Sequence, residues 1–463
     1  MKERKISLYD VLVLGLIAGL TLLYISLIFN RDIWTDEAFT VRLVNPKSVR
    51  DIIVKTADDV HPPLYYLIAY VFVSIFGTGL KVYKAVSIVP MVLTMLLGLL
   101  YVKPKFGEKA AVIYILFVNA IPCVMEYCVQ VRMYTWCMLF VTVTAICAYE
   151  YFLQQNTKQL ILLTVTALCT CYIHNYAMIS TFFMYGILGI LLLIQNRKFP
   201  VKWLISGLTV ALGFLPWLFV LLNQTTNRID NYWIEELDWE TIVGYLSDLF
   251  GSRIPYTTLM FVIIIIMSFV LFIARIREEK NAGVFGIVLL IVPLLTAVFG
   301  ITISVLVTPF FVARYLVSCF GLVSLAVAIA LGKENNYTYV LLCIFLIGMI
   351  GNSYYENFKA EYRTTHTEEL YAYLDEHMGE NDMIIYNYQV FDFIYECYFD
   401  PEKLAFLGDF DFSQQYDNIW FLDSCCSPWL DDSILPNYGL AKEYINTFGI
   451  EHNDFRVYRI YRQ

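Results

Sequence analysis

Two stretches of this chain carry side chains suited to chemistry. Asn30-Arg-Asp-Ile-Trp-Thr-Asp-Glu-Ala-Phe-Thr sets two adjacent carboxylates, Asp36 and Glu37, behind an aromatic ring. Asp58-Asp-Val-His-Pro-Pro-Leu-Tyr-Tyr sets His61 between two acids and two prolines. Adjacent acids at the mouth of a membrane cavity suit a base and its orienting partner, because partial loss of water makes a carboxylate more basic. The same dipeptide suits a helix start, with Thr35 or Asp36 as N-cap and Glu37 favouring the helix dipole. His61, stiffened by Pro62 and Pro63, suits binding of a phosphate oxygen or an acceptor hydroxyl. Its plain alternative is a rigid turn with a solvated imidazole. Asp58 and Asp59 are further acids of that site or a solvated pair, and Tyr65 follows as a candidate substrate contact.

Three later positions repeat these residue types. Glu126-Tyr-Cys-Val-Gln-Val-Arg-Met-Tyr places Arg132 at the outer start of an apolar run, with Glu126 and Tyr134 flanking it. An arginine on that side suits an anionic head group; snorkelling is the alternative. His174-Asn-Tyr lies in a tight outer turn, and Arg314-Tyr315 opens another span on the same side. Together these residues describe one cavity open to the exterior, cationic near the lipid and acidic above it.

The elements that must hold them are membrane helices. The 463 residues are 59% hydrophobic and 16% charged, with mean hydropathy +0.61, where a soluble chain carries about a quarter charged residues. Spans of about 20 residues each are expected near 8–29, 82–101, 110–125, 133–152, 159–173, 176–194, 203–222, 256–274, 283–307, 315–331 and 337–351. That is an α-helical polytopic membrane protein with about eleven transmembrane helices. The first run is too long for a signal-peptide core and lacks a small-residue cleavage site, so it is expected to be retained.

Basic loops (Lys2/Arg4/Lys5, Lys103/Lys105/Lys109, Lys158, Arg197/Lys198/Lys202, Arg275/Arg277/Lys280, Lys333) fall into one alternating set, which the positive-inside rule puts in the cytoplasm. The other set, including 30–81 and the tail from 352, then faces outward. Residues 64–76 span only about 20 Å as a helix against a hydrocarbon core of about 30 Å, so they are expected to lie in the outer interface. The expected organisation is a transmembrane domain over 1–351, with loop 30–81 catalytic, and a small soluble α/β domain over 352–463 outside the membrane. In that tail, Thr367–Met378 and Gly439–Phe448 suit helices; Asp382–Tyr386, Leu404–Leu407, Asn418–Leu422 and Phe455–Tyr461 suit strands.

The net charge of −9 and its distribution suggest no nucleic-acid surface. Most of the eleven cysteines sit in apolar runs as small hydrophobes; Cys425-Cys426 is a vicinal pair of unread redox state. The spans carry almost no ionisable residues, Glu150 lying near a cytoplasmic end, which argues against proton-coupled transport.

Taken in order, Trp-x-Asp-Glu-Ala, Asp-x-His-Pro-Pro-Leu-Tyr-Tyr, Arg-Met-Tyr, His-Asn-Tyr and Arg-Tyr-Leu resemble the family 39 glycosyltransferases. These are C-type membrane glycosyltransferases, similar to protein O-mannosyltransferases, lipid A aminoarabinose transferases and bacterial lipopolysaccharide-core transferases. The resemblance implies a polyprenyl-phosphate sugar donor and inverting transfer on the outer face of the plasma membrane. It implies Asp36 as base on the acceptor hydroxyl with Glu37 beside it, and His61, Arg132 and Arg314 at the donor phosphate. Aminoarabinose relatives have a lysine where this chain has His61, and the family often has Glu-Ala before the outer-loop arginine where this chain has Gln130-Val131. The resemblance leaves Asp59, Tyr65, Glu126, Tyr134, His174 and Tyr315 as candidate substrate contacts. No cofactor is required; a divalent metal is compatible but not indicated. The acceptor is left open among a lipid, a glycan, a wall polymer and a protein. Two other classes compete: a transporter or flippase of lipid-linked saccharides, and a non-catalytic scaffold whose tail binds cell-wall partners.

Overall fold

The computed structural model describes every residue except 1–6, 31, 46–47, 228–233, 235–236, 252–254, 360–365, 425–426 and 451–452. The expected basic cluster at Lys2, Arg4 and Lys5 and the Cys425-Cys426 pair lie outside the described residues.

In chain order the helices are α1 (Leu8–Ile28), α2 (Thr35–Val44), α3 (Val49–Ala57), α4 (Leu64–Phe76), α5 (Leu80–Leu97) and α6 (Lys103–Phe106). There follow α7 (Glu108–Ala120), α8 (Pro122–Tyr127), α9 (Tyr134–Gln154), α10 (Thr157–Ile173), α11 (Asn175–Asn196), α12 (Val201–Asn227) and α13 (Trp239–Phe250). The last are α14 (Pro255–Arg275), α15 (Lys280–Leu306), α16 (Phe320–Leu331), α17 (Asn336–Phe358), α18 (His366–His377) and α19 (Asp392–Tyr398). A 3₁₀ segment, Ala313–Cys319, leads into α16. The chain forms two compact units: Met1–Ser26 with Pro46–Asn357, and Leu27–Asn45 with Phe358–Gln463.

The first unit is a helical bundle, and among its described residues nine segments are long and apolar enough to cross a membrane. They coincide with nine of the eleven expected spans. The other two are shorter: α10 has 17 residues and α7 has 13. The expected span 110–125 is broken at Ile121, whose extended backbone precedes Pro122 at the start of α8, as the ring of a following proline demands. α7 and α16 pack on each other and are buried almost all round, so their lack of amphipathicity reflects a central position. α4 is a 13-residue helix, as expected. At one end of the bundle Lys103 pairs with Asp10 (2.8 Å) and Glu108 (3.2 Å), Lys105 with Glu150 (2.7 Å), Arg275 with Glu334 and Lys333 with Glu279. Three of the expected basic loops therefore share one end.

The second unit centres on a five-stranded sheet, order β2-β1-β3-β5-β4. β1 (Met383–Tyr386) pairs parallel with β2 (Leu404–Phe406) and β3 (Asn418–Asp423); β5 (Asn453–Arg462) pairs antiparallel with β3 and with β4 (Leu440–Ile450). Four strands fall where expected, and α18 covers 366–377. Gly439–Phe448, expected as a helix, is strand β4 instead. Its Leu-Ala-Lys-Glu start favours a helix, but Tyr444, Ile445, Thr447 and Phe448 suit a pleated surface, and pairing along β5 decides. Tyr444 there meets Tyr458 at 5.8 Å. Asp382 is structural: it accepts from the Gly379 and Asn418 amides (3.0 Å each) and from the Trp420 indole (3.0 Å).

Candidate functional site

In the first unit, four separate helix ends bring polar side chains together. The turn between α3 and α4 carries His61. It is held by Tyr66, whose hydroxyl donates to Asp59 (3.0 Å), by the Asn175 amide donating to the Val60 carbonyl (3.2 Å), and by Gln224 donating to the Thr56 and Ala57 carbonyls (3.2 and 3.0 Å). The segment before α9 carries Arg132. Ser87 of α5 donates to the Gln130 and Arg132 carbonyls, and Thr135 donates back to the Ser87 carbonyl at 3.0 Å. His174 is the N-cap of α11, its Nδ1 accepting from the Tyr176 amide at 3.1 Å. Tyr315 sits on the 3₁₀ segment before α16.

These groups converge. Arg132 Nη2 lies 3.1 Å from His61 Nε2. Arginine only donates, so His61 Nε2 accepts and Nδ1 carries its proton. The His61 ring stacks on His174 at 5.0 Å, and Tyr315 lies 4.9 Å from His174 and 6.5 Å from His61. Tyr134 is 6.2 Å from His174 and 4.9 Å from Tyr127. His61, Arg132 and His174 are 6, 4 and 2% exposed. A buried cation needs compensating anionic or hydrogen-bonding groups.

Burial holds the His174 imidazole well below its ordinary pKa, and His61, Arg132 and Arg314 lower it further. His174 is therefore neutral, and because Nδ1 accepts, Nε2 carries the hydrogen. That buried N–H, the Tyr134 hydroxyl and the Gln130 side-chain carbonyl oxygen meet no hydrogen-bonding partner among the described residues. The His174 N–H, the Tyr134 hydroxyl and the Arg132 guanidinium, with the charge of Arg314 felt at His174, suit an anion with several oxygens.

The remaining expected site residues divide. Arg314 acts electrostatically on His174 and on Tyr127, whose hydroxyl is pushed up by burial and Glu126 while Arg314 lowers it. Glu126 faces Asp248 of α13, whose carboxyl is raised by burial and then by Glu126. Tyr65 is buried against Tyr66, ring centroids 5.6 Å apart. Asp36 and Glu37 belong to the second unit, in the first turn of α2. Trp34, rather than Thr35 or Asp36, occupies the N-cap, and its amide donates to the Glu37 carboxylate at 3.2 Å.

Sequence reasoning did not single out Lys84, the fifth residue of α5, which is 3% exposed and lies one turn before Ser87. A lysine inside an expected span was the available signal, and the spans are less free of charge than expected. Tyr176, the last residue of the expected His-Asn-Tyr turn, braces the site by donating to the Phe310 carbonyl at 3.1 Å. Beside the site, α3, α4, α10 and α12 enclose an apolar groove of about 750 Å³, lined among others by Val54, Leu67, Leu168 and Trp217 and flanked by Asp58 and Pro63. Among the described residues no three His, Cys, Asp or Glu side chains gather as metal ligands.

Comparison with known proteins gives three findings. Residues 60–219 match the family model described as dolichyl-phosphate-mannose-protein mannosyltransferase. That stretch contains His61, Arg132 and His174; Asp36, Glu37 and Arg314 lie outside it. No curated protein matches. Among solved structures, the fold is similar to that of ArnT from Cupriavidus metallidurans in the apo state, with TM-score 0.62, 11% identity and 97% of each chain covered. It is similar also to the same protein bound to undecaprenyl phosphate, with TM-score 0.60, 10% identity and 97% of each chain covered. The chain therefore shares the overall fold of those two structures, with nine candidate spans among the described residues and a small sheet domain near the C-terminus.

Proposed function

We propose that this chain is a membrane glycosyltransferase that moves a sugar from a polyprenyl-phosphate donor to an acceptor hydroxyl, with inversion. The observation that carries the reading is the buried His61–Arg132–His174 cluster beside an apolar groove, on a fold shared with a protein solved with undecaprenyl phosphate. An isoprenoid chain fits the groove, and a phosphate fits the donors at its edge. In the reaction, the bond between the sugar's anomeric carbon and the phosphate oxygen breaks, and its electron pair stays on phosphate. Arg132, Arg314, the His174 N–H and His61 stabilise that growing charge in a water-poor site. The acceptor oxygen bonds to the anomeric carbon from the opposite face, and its proton passes to Asp36.

Asp36 comes to this role through its motif, since it stands on the other compact unit. Glu37 accepts from the Trp34 amide, which supports reading it as the holder of the turn and Asp36 as the base. The reading needs no metal, because a lipid monophosphate carries less charge than a nucleotide diphosphate and two arginines offset it. It places the chain in the plasma membrane, basic loops and N-terminus cytoplasmic, soluble domain outside. The acceptor is a hydroxyl of a lipid, glycan, wall polymer or protein.

The test is mass spectrometry of lipid-linked sugars in membranes with wild-type protein or Asp36→Asn. Loss of turnover in a variant that still inserts is the expected result. Wild-type turnover by Asp36→Asn removes the assignment of the base, and transbilayer movement of unaltered lipid-linked sugar favours a flippase.

A further inference from the structure

The segment carrying Asp36 is grouped with residues 358–463, not with the helical bundle. The reason is a set of contacts to α19 and α18. Arg42, in the last turn of α2, reaches Glu396 through Nε at 2.9 Å and Asp392 through Nη1 at 3.5 Å. Its guanidinium lies 4.9 Å from the Phe393 ring centroid, and Phe39 meets the same ring edge-on at 5.6 Å. Before α2, Asp32 accepts from the Thr367 amide at 2.7 Å, and Asn30 donates to the Phe358 carbonyl at 2.5 Å. The electrostatics of α19 agree: burial, Glu396 and Glu37 push the Cys397 thiol up to about 12, while Arg42 opposes them. Glu37 therefore faces α19. Asp36, one residue away, points about 100° round the helix.

We propose that the soluble domain positions the base, with Arg42, Glu396 and Phe393 fixing the angle at which α2 presents Asp36. This rests on Asp36 being the base. Arg42, Asp392 and Glu396 side chains are 43, 32 and 21% exposed, and ion pairs this exposed add little to folding stability. What the fork across two carboxylates supplies is direction. A misplaced base loses rate without loss of donor binding, and a shift of about 1 Å costs up to roughly a hundredfold.

The experiment uses full-length Arg42→Ala, Glu396→Ala, Arg42→Lys and Asp36→Asn. Turnover is measured in membranes given a native lipid extract, and undecaprenyl phosphate binding on the purified proteins. The expected result is that both alanine variants lose maximal turnover roughly tenfold or more, keep half-saturation and undecaprenyl phosphate binding, and that Arg42→Lys recovers part of the rate. Wild-type turnover in both alanine variants, with Asp36→Asn inactive, overturns the positioning role. So does loss of undecaprenyl phosphate binding in step with turnover, which marks general misfolding. An active Asp36→Asn instead overturns the catalytic reading itself.

Discussion

Replacing Arg132 by Gln is the sharpest perturbation of the donor site. The guanidinium is 4% exposed, its Nη2 meets His61 Nε2 at 3.1 Å, and its backbone is tied to α5 through Ser87. Gln keeps an N–H for His61 and removes the charge. A hydrogen bond to a charged partner contributes roughly 1.5–3 kcal/mol, and about 1.4 kcal/mol is tenfold in binding. Affinity for undecaprenyl phosphate should therefore fall about 10- to 150-fold. Folding should survive, because removing a buried cation also removes its desolvation cost. The assay is titration of undecaprenyl phosphate against purified protein, with thermal unfolding as control. Arg132→Lys should fall between the two, since it keeps a charge without the planar fork. Unchanged affinity in a folded Arg132→Gln protein refutes the placement of the phosphate.

Three further outcomes follow from the same geometry. His174 is neutral when folded, its pKa held low by burial, His61, Arg132 and Arg314, whereas the unfolded chain takes up a proton below about pH 6.5. The unfolded state then binds more protons, so stability falls as pH drops below that value, by up to about 1.4 kcal/mol per pH unit; thermal unfolding of His174→Gln should slope less, and parallel slopes contradict this. Glu37→Gln, which keeps an oxygen for the Trp34 amide, should retain far more transfer than Asp36→Asn in a side-by-side turnover assay; equal losses would return Glu37 to the reacting centre. Cys169→Trp, which fills part of the groove between α3, α4, α10 and α12, should weaken binding of undecaprenyl phosphate but not of a short-chain prenyl phosphate; equal effects on both argue against the groove as the chain's seat.

The parts of this molecule legible in its sequence are those where a local signal is also the structural cause. Nine long apolar helical segments among the described residues follow from unbroken apolar runs. His61, Arg132, His174 and Tyr315 stood out as polar groups at the ends of such runs, and they meet because those ends share one side of the bundle. Where distant pairing decides, local signals fail. Leu440-Ala-Lys-Glu favours a helix until β5 supplies a partner strand. The break at Ile121 was readable from Pro122 but lay inside an otherwise apolar stretch. Nothing near Asp36 announces that Arg42 pairs with Glu396, since the partners are far apart in sequence and an exposed arginine is common on any helix. Lys84 was hidden by the apolar residues around it.

The central claim is that this chain cleaves a polyprenyl-phosphate sugar and transfers its glycosyl group. The most direct measurement reconstitutes the purified full-length protein in liposomes with polyprenyl-phosphate sugars and a native lipid extract, and follows lipids by mass spectrometry. The account predicts free polyprenyl monophosphate and a glycosylated product from wild type, with neither from Asp36→Asn. Donor that stays intact with wild-type protein, or equal product from both proteins, would contradict it.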